Sequence, residues 1–458
     1  QRGIDRGEFR ALQLEHAVYS LIAPMIFLLM WKHSMAPCCP PSQQIDPMTF
    51  IDSQIDRQAI IAKLDELGLF LDLRGLDAEM SGQLTVSGSP SAPAVVGGFM
   101  ANRRPTRTLL LGMGAFWALI QLPMLFVSSL WAIVACRVLL GIGEGPASPV
   151  ATHALYKWFP NDRRNLPVAL LHTGSALGLL VVGAMIPWIS VHYGWRMNFI
   201  VLAVIGAVWC VLWWWLGSEG NLDRIRPGQL EEGQAPVPYR RLLGDRTVLG
   251  NYLCHFAANW SLALTLTWVP SYLETGLGID PIMTGQVFVL FVVVTTPLSL
   301  FMAWLSQRMM RAGVATRWSR GAFVSVCLIA SGLLSAALFL PGLSNVERIV
   351  SLTFSGGLAL VMYSVGPAML AEFTPSGQRG GILAIGNGIA SLAGLSAPVV
   401  TGLLVQGAGA GHTAGFGQGF LVCGAVLVIA GLIGLAWMDP QKTRQRLMQV
   451  GTAAPAQA

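Results

Sequence analysis

The sequence predicts an all-α polytopic membrane protein of about twelve transmembrane helices, and three observations carry that expectation. Of 458 residues, 53% are hydrophobic and only 11% are charged, against about 25% charged in an ordinary soluble domain. So few charges could not cover a water-facing surface of this size. Long apolar runs recur along the chain, near the ~20 residues that a helix needs to cross a bilayer. Basic residues gather between alternate runs, as they do in loops kept on the cytoplasmic side.

Ten runs meet the length standard: 108–127, 130–151, 166–189, 196–216, 247–271, 281–304, 321–341, 349–371, 381–405 and 417–437. Two weaker candidates precede them, at 14–31 and 83–101. With the loop after residue 101 placed in the cytoplasm, alternation puts Arg103, Lys157, Arg240, Arg308, Arg379, Lys442 and their basic neighbours on that side. Only Arg196 and Arg348 fall on the other. This bias sets the registration and predicts an inner-membrane protein with both termini cytoplasmic. It also accounts for the net charge of +6 without nucleic-acid binding.

The longest polar break, 217–246, reads as a cytoplasmic linker. It divides the chain into an N-terminal six-helix bundle (1–216), a C-terminal six-helix bundle (247–438) and a tail (439–458). Carriers built of two bundles hold their substrate between the halves. The basic loop after the second span has a counterpart in SQRMMRAGVATRWSR, 306–320, the weak internal repeat such a plan would leave.

The seven cysteines show no CxxC spacing, and apart from Cys38-Cys39 they are scattered through apolar runs as small hydrophobes. No metal, disulfide framework or cofactor follows. The start of the chain has no cleavable signal with a small-residue exit site. Metalloprotease, nucleophile-elbow and phosphate-loop motifs are missing, so nothing points to an enzyme.

Ionisable residues inside a membrane helix are costly and mark function by default. The fourth span carries two, Arg137 and Glu144, in CRVLLGIGEGPASPV. Seven residues apart, they share one helix face about 10 Å from each other along the axis. That is too far for one tight ion pair, so each is free to meet another partner. An arginine fork suits a carboxylate through paired charge-assisted hydrogen bonds. A glutamate whose proton affinity depends on a nearby cation gives a route to coupling an anion to a proton. A purely structural pair is the competing reading. Further polar candidates in apolar runs are His172, His255, Asn259 and Tyr363, each of which could equally be a packed or interfacial residue.

RVLLGIGEGPASP, then ALYKWFPNDRRN and HYGWRMNF, resemble the anion:cation symporter branch of the major facilitator superfamily. TWVPSYLETGLG and FTPSGQRGGILAIGNGIASLAGLSAPVVTG extend the resemblance, which covers about residues 97–437. It implies two six-helix bundles, a monomer, and proton-coupled movement of a small organic anion, commonly a sugar acid or other carboxylate. It places a substrate-side arginine on Arg137, a proton-coupling acid on Glu144 and a substrate hydrogen bond on Asn387; Tyr363 and His172 join the candidate substrate contacts on their polarity alone. Antiporter relatives often carry a GP-containing glycine motif in the fifth span. LLHTGSALGLLVVG lacks it, which favours symport over proton-coupled efflux.

The first hundred residues depart from that pattern. The family's first span carries an Asp-Arg pair, and the nearest match is Asp56-Arg57 in FIDSQIDRQAI, behind a proline-rich polar stretch. On the resemblance, Asp56 would join proton coupling and Arg57 substrate binding. The loop after the second span has Asn102 where the family has an aspartate, weakening a charge contact that helps control opening. Three readings stand: a diverged first helix pair, an altered start that leaves a non-transporting paralogue, or a surface amphipathic helix at IDRQAIIAKLDELGLFLDL.

Overall fold

The computed structural model describes residues 91–126, 130–220, 222, 237–408 and 412–452. Asp56, Arg57, the weak span at 14–31 and the alternative surface helix lie outside the described residues. Within the described residues the chain is helical throughout, with no strand.

Fifteen elements are used below. On the N-terminal side they are α1 (Ser91–Arg103), α2 (Thr106–Gln121), α3 (Leu130–Glu144), α4 (Ala147–Tyr156), α5 (Asn165–Tyr193) and α6 (Trp195–Leu216). After the short α7 (Tyr239–Leu243) come α8 (Arg246–Thr267), α9 (Pro281–Arg311), α10 (Phe323–Ala337), α11 (Asn345–Ala359) and α12 (Val361–Phe373). The chain ends on α13 (Arg379–Gly407), α14 (His412–Trp437) and α15 (Pro440–Thr452). All ten expected runs fall on these helices. Seven stretches among the described residues are continuous and apolar enough to cross a membrane unaided. The run 130–151, the fourth span of the expected twelve, is broken instead: α3 stops at Glu144 and α4 restarts at Ala147, because Pro146 has no N–H to continue the ladder.

Lipid offers little hydrophobic drive between helices, so close backbone approach and hydrogen bonds must hold them. The pair α10–α14 shows the first device. A Cβ at Gly332 would stand 2.6 Å from the Gly424 carbonyl oxygen, and one at Gly424 would stand 2.5 Å from that of Gly332. The pair α10–α11 shows the second, as Ser331 Oγ donates to Ser355 O at 2.7 Å and Ser355 Oγ donates to Ser331 O at 2.9 Å. Gly194, at φ +82°, makes the one-residue turn between α5 and α6, a conformation that costs glycine little.

The basic end of the molecule is fastened by polar clasps. Glu219, just past α6, accepts from Thr106 Oγ1 at 2.9 Å and from the Arg107 amide at 2.9 Å, and pairs with Lys157. Burial alone would raise its carboxyl, but the bonds from Lys157, Arg107 and Thr106 hold it down at about 2. At neutral pH Glu219 is therefore charged and joins the ends of α2, α4 and α6. Asp245 caps α8, accepting from the Thr247 amide at 2.8 Å, and also accepts from Thr443 Oγ1 of α15 at 2.8 Å. The segment expected as a plain tail thus contains a docked helix. Within the expected linker, Gln378 ties Val237 to the start of α13, accepting from its amide at 2.9 Å and donating to its carbonyl at 2.7 Å.

Candidate functional site

Among the described residues, the main contacts between the N-terminal and C-terminal groups are made by α1 with α13, α4 with α13, α5 with α9 and α5 with α12. A small cavity with several polar groups in a largely apolar lining lies on this seam. Ser148, Pro149 and Thr152 of α4 line it, with His172 of α5, Asn251 and His255 of α8, Tyr363 and Pro367 of α12, and Gly386 and Asn387 of α13. Its free volume is about 20 Å³, room for about one water. In this conformation the seam is drawn tight.

Tyr363 is the hub. Its ring meets His172 at 5.5 Å from one half and His255 at 5.2 Å, edge to face, from its own. Its hydroxyl donates to Asn259 Oδ1 at 2.7 Å, and Asn259 Nδ2 donates to Ala390 O at 2.7 Å. Asn251 Nδ2 donates to Gly366 O at 3.0 Å. That leaves Asn251 Oδ1 and His255 Nε2 buried with no hydrogen-bond partner. Orphaned polar atoms beside a cavity are what an incoming hydroxyl or carboxylate can satisfy.

The structure brings His172, Tyr363 and Asn387 into one lining and sets Arg137 and Glu144 apart from it. Glu144 is exposed and ends α3, four residues before Ser148 and on the far side of the break at Pro146. Arg137 is half-buried one further stretch away, its guanidinium 5.2 Å from the Phe199 ring and its Nε without a hydrogen-bond partner. Among the described residues no ion pair joins Arg137 to Glu144, as their seven-residue spacing requires. Asn251, Ser148 and Thr152 were not singled out from the sequence. A signal for Asn251 exists: with His255 and Asn259 it forms an i, i+4, i+8 polar stripe on an otherwise apolar helix.

Below the cavity, on the basic end, the halves are latched. Arg320, fully buried, stands in the wide π-helical turn Arg317–Ala322 that precedes α10. It pairs with Glu372 Oε2 at 2.9 Å and donates to Ala368 O at 3.2 Å in its own half. Across the seam it donates to Asn161 Oδ1 at 2.8 Å, Asn161 O at 2.6 Å and Asn165 Oδ1 at 3.2 Å. Asn165 Nδ2 donates to Ser306 Oγ at 2.9 Å, and the Leu166 amide donates to Gln307 Oε1 at 3.2 Å. Asn102 Oδ1 accepts from the Gly380 amide at 2.9 Å at the start of α13. The amide there keeps a hydrogen bond to the helix terminus while lacking the carboxylate's charge.

Tyr363→Phe removes one hydroxyl and frees Asn259 Oδ1. A lost hydrogen bond of this kind is worth about 1 kcal/mol, so the variant should lose about that much stability with insertion unchanged. Thermal denaturation of the purified variant would check this; a wild-type melting temperature would mean that the Tyr363–Asn259 bond contributes nothing.

Residues 85–316, just over half of the chain, match the Major Facilitator Superfamily. The chain is 24% identical over 357 residues to the hexuronate transporter of Bacillus subtilis, covering 75% of this chain and 82% of that protein. It is 29% identical over 372 residues to a probable sulfoacetate transporter of Cupriavidus necator, covering 75% and 81%. The crystal structure of the human organic anion transporter MFSD10 superposes with a TM-score of 0.60 at 15% identity, covering 92% of this chain and 99% of that one. A helical, multi-pass chain with a cavity on its central seam and such relatives is a membrane transporter, not an enzyme, and it belongs to the Major Facilitator Superfamily.

Proposed function

We propose that the protein takes up an organic carboxylate, a sugar acid first among them, together with a proton, by alternating access of residues 1–216 against 247–438. The observation that carries the reading is the cavity on the seam, lined by hydroxyls, amides and imidazoles from both halves. Such a lining suits the several hydroxyls of a sugar acid. Arg137, which lies apart from the cavity in this conformation, supplies the cation for the carboxylate when the halves open, and Glu144, exposed and unpaired among the described residues, takes the proton. Two relatives named for hexuronate and sulfoacetate support an anionic substrate. On this reading the carrier is a monomer in the inner membrane, with both termini and the latched basic end in the cytoplasm.

The test is external pH in de-energised cells expressing the chain while sugar acids and small carboxylates are added. Alkalinisation with one of them, lost in Glu144→Gln, is the expected result. Uptake by Glu144→Gln at the wild-type rate and with the same pH change would sink the coupling assignment. Acidification on adding substrate would point to exchange for protons instead.

A further inference from the structure

A second cleft, away from the seam cavity, lies at the basic end of α9. It is lined by Trp304, Gln307, Arg308 and Arg311 and encloses about 260 Å³. We propose that this cleft binds the phosphate headgroup of an anionic phospholipid from the adjoining leaflet.

The length of α9 is the first ground. Its 31 residues span about 46 Å at 1.5 Å each, while the hydrocarbon core is about 30 Å thick. One end must therefore run through the headgroup layer. The order of side chains along one face says which end does so. Phe301, Trp304, Arg308 and Arg311 recur at spacings of three, four and three, so they form a single stripe. Phe301 and Trp304 are exposed and stacked at 5.8 Å. Read outward, the stripe passes from an apolar ring to an indole and then to two cations. That sequence matches hydrocarbon, interface and phosphate in turn.

The charges are the second ground. Nearby Arg317 and Arg320 have carboxylate partners, Asp439 at 3.1 Å and Glu372 at 2.9 Å. Arg308 and Arg311 have no ion pair or side-chain hydrogen bond among the described residues. Arg308 instead lies 5.2 Å from the Trp304 ring centroid, a cation–π contact that holds the guanidinium beside the cleft. Two arginine forks in one cleft present the planar donor sets that a phosphate accepts. The exposed aromatic rings below them flank acyl chains, a role that a free phosphate ion would not use.

The site also has a position in the fold. Gln307 lines the cleft and accepts from the Leu166 amide of the opposite half at 3.2 Å. A headgroup there touches the residue that fastens α9 to α5.

The experiment uses the purified full chain and native mass spectrometry with phosphatidylglycerol, phosphatidylcholine and inorganic phosphate as probes. Phosphatidylglycerol should bind more tightly than phosphatidylcholine, and millimolar inorganic phosphate should not displace it. In Arg308→Ala/Arg311→Ala its affinity should fall about 25-fold, roughly fivefold for each basic side chain at the surface. Arg308→Lys/Arg311→Lys should retain most of it. Equal binding of the two lipids by the wild type would overturn the proposal without any variant. So would unchanged affinity in the double alanine variant, or displacement by inorganic phosphate, which would assign the cleft to a free anion.

Discussion

Arg320→Ala is expected to lower thermal stability sharply and to abolish uptake. The side chain is fully buried, and removing one member of a buried ion pair costs about 3–5 kcal/mol because the other charge is left behind. Glu372 would keep only the Thr316 hydroxyl, which donates to its other oxygen at 2.8 Å. Two effects are combined in that variant, and Asn161→Ala separates them. It removes the side-chain acceptor at 2.8 Å across the seam and leaves the Arg320–Glu372 pair in place. With one hydrogen bond worth about 1 kcal/mol, it should shift the balance toward the open basic end roughly fivefold at nearly normal stability. Spin labels at Trp158→Cys and Trp318→Cys, exposed positions on opposite halves, would read the distance in a background without native cysteines. A wild-type distance distribution in both variants would refute the latch.

Gly98→Leu should trap the basic end open and stop uptake while leaving the protein folded. A Cβ at Gly98 would lie 2.2 Å from Ala384 Cβ and 2.4 Å from the Gly380 carbonyl oxygen. The obstacle includes backbone of the opposing helix, which has no rotamer to yield, so α1 and α13 must part. Gly380 faces the same constraint, with Gly98 O at 2.5 Å from its ideal Cβ. Packing within each half is untouched, so the melting temperature should move little. The same label pair should show a single long distance, and substrate uptake should fall at least tenfold. Normal uptake would mean that this contact is not needed for the cycle.

The apolar runs made the helices readable, because their length follows from transfer to lipid. Pro146 in GIGEGP is where the structure interrupts the fourth span, since proline has no N–H for the ladder. The inventory of site residues was partly readable too, since a polar side chain in an apolar run stands out. Which of them meet was not. His172 and Tyr363 are far apart in sequence, and only the packing of α5 against α12 brings their rings together. Arg320 hid for a different reason. The rule that reads orientation treats every loop arginine as a solvated charge, whereas this one turns inward and is completely buried. Helix α15 escaped because PQKTRQRLMQVGT is too polar for a membrane search and borrows its stability from Asp245 and Thr247.

The placement of Glu372 has an electrical consequence. Arg320 carries its counter-charge on the same half, and its hydrogen bonds to the other half end on the amide side chains of Asn161 and Asn165 and on the Asn161 carbonyl. When the halves part at this point, the bonds that break run from a pair neutralised within one half to neutral dipoles of the other, and Asp162, the acidic neighbour across the seam, pairs with Arg163 of its own half. The step here therefore moves little charge through the field across the membrane and is nearly indifferent to ionic strength. Voltage can then act on the cycle through the charges of whatever is carried, leaving the latch itself as a voltage-blind component.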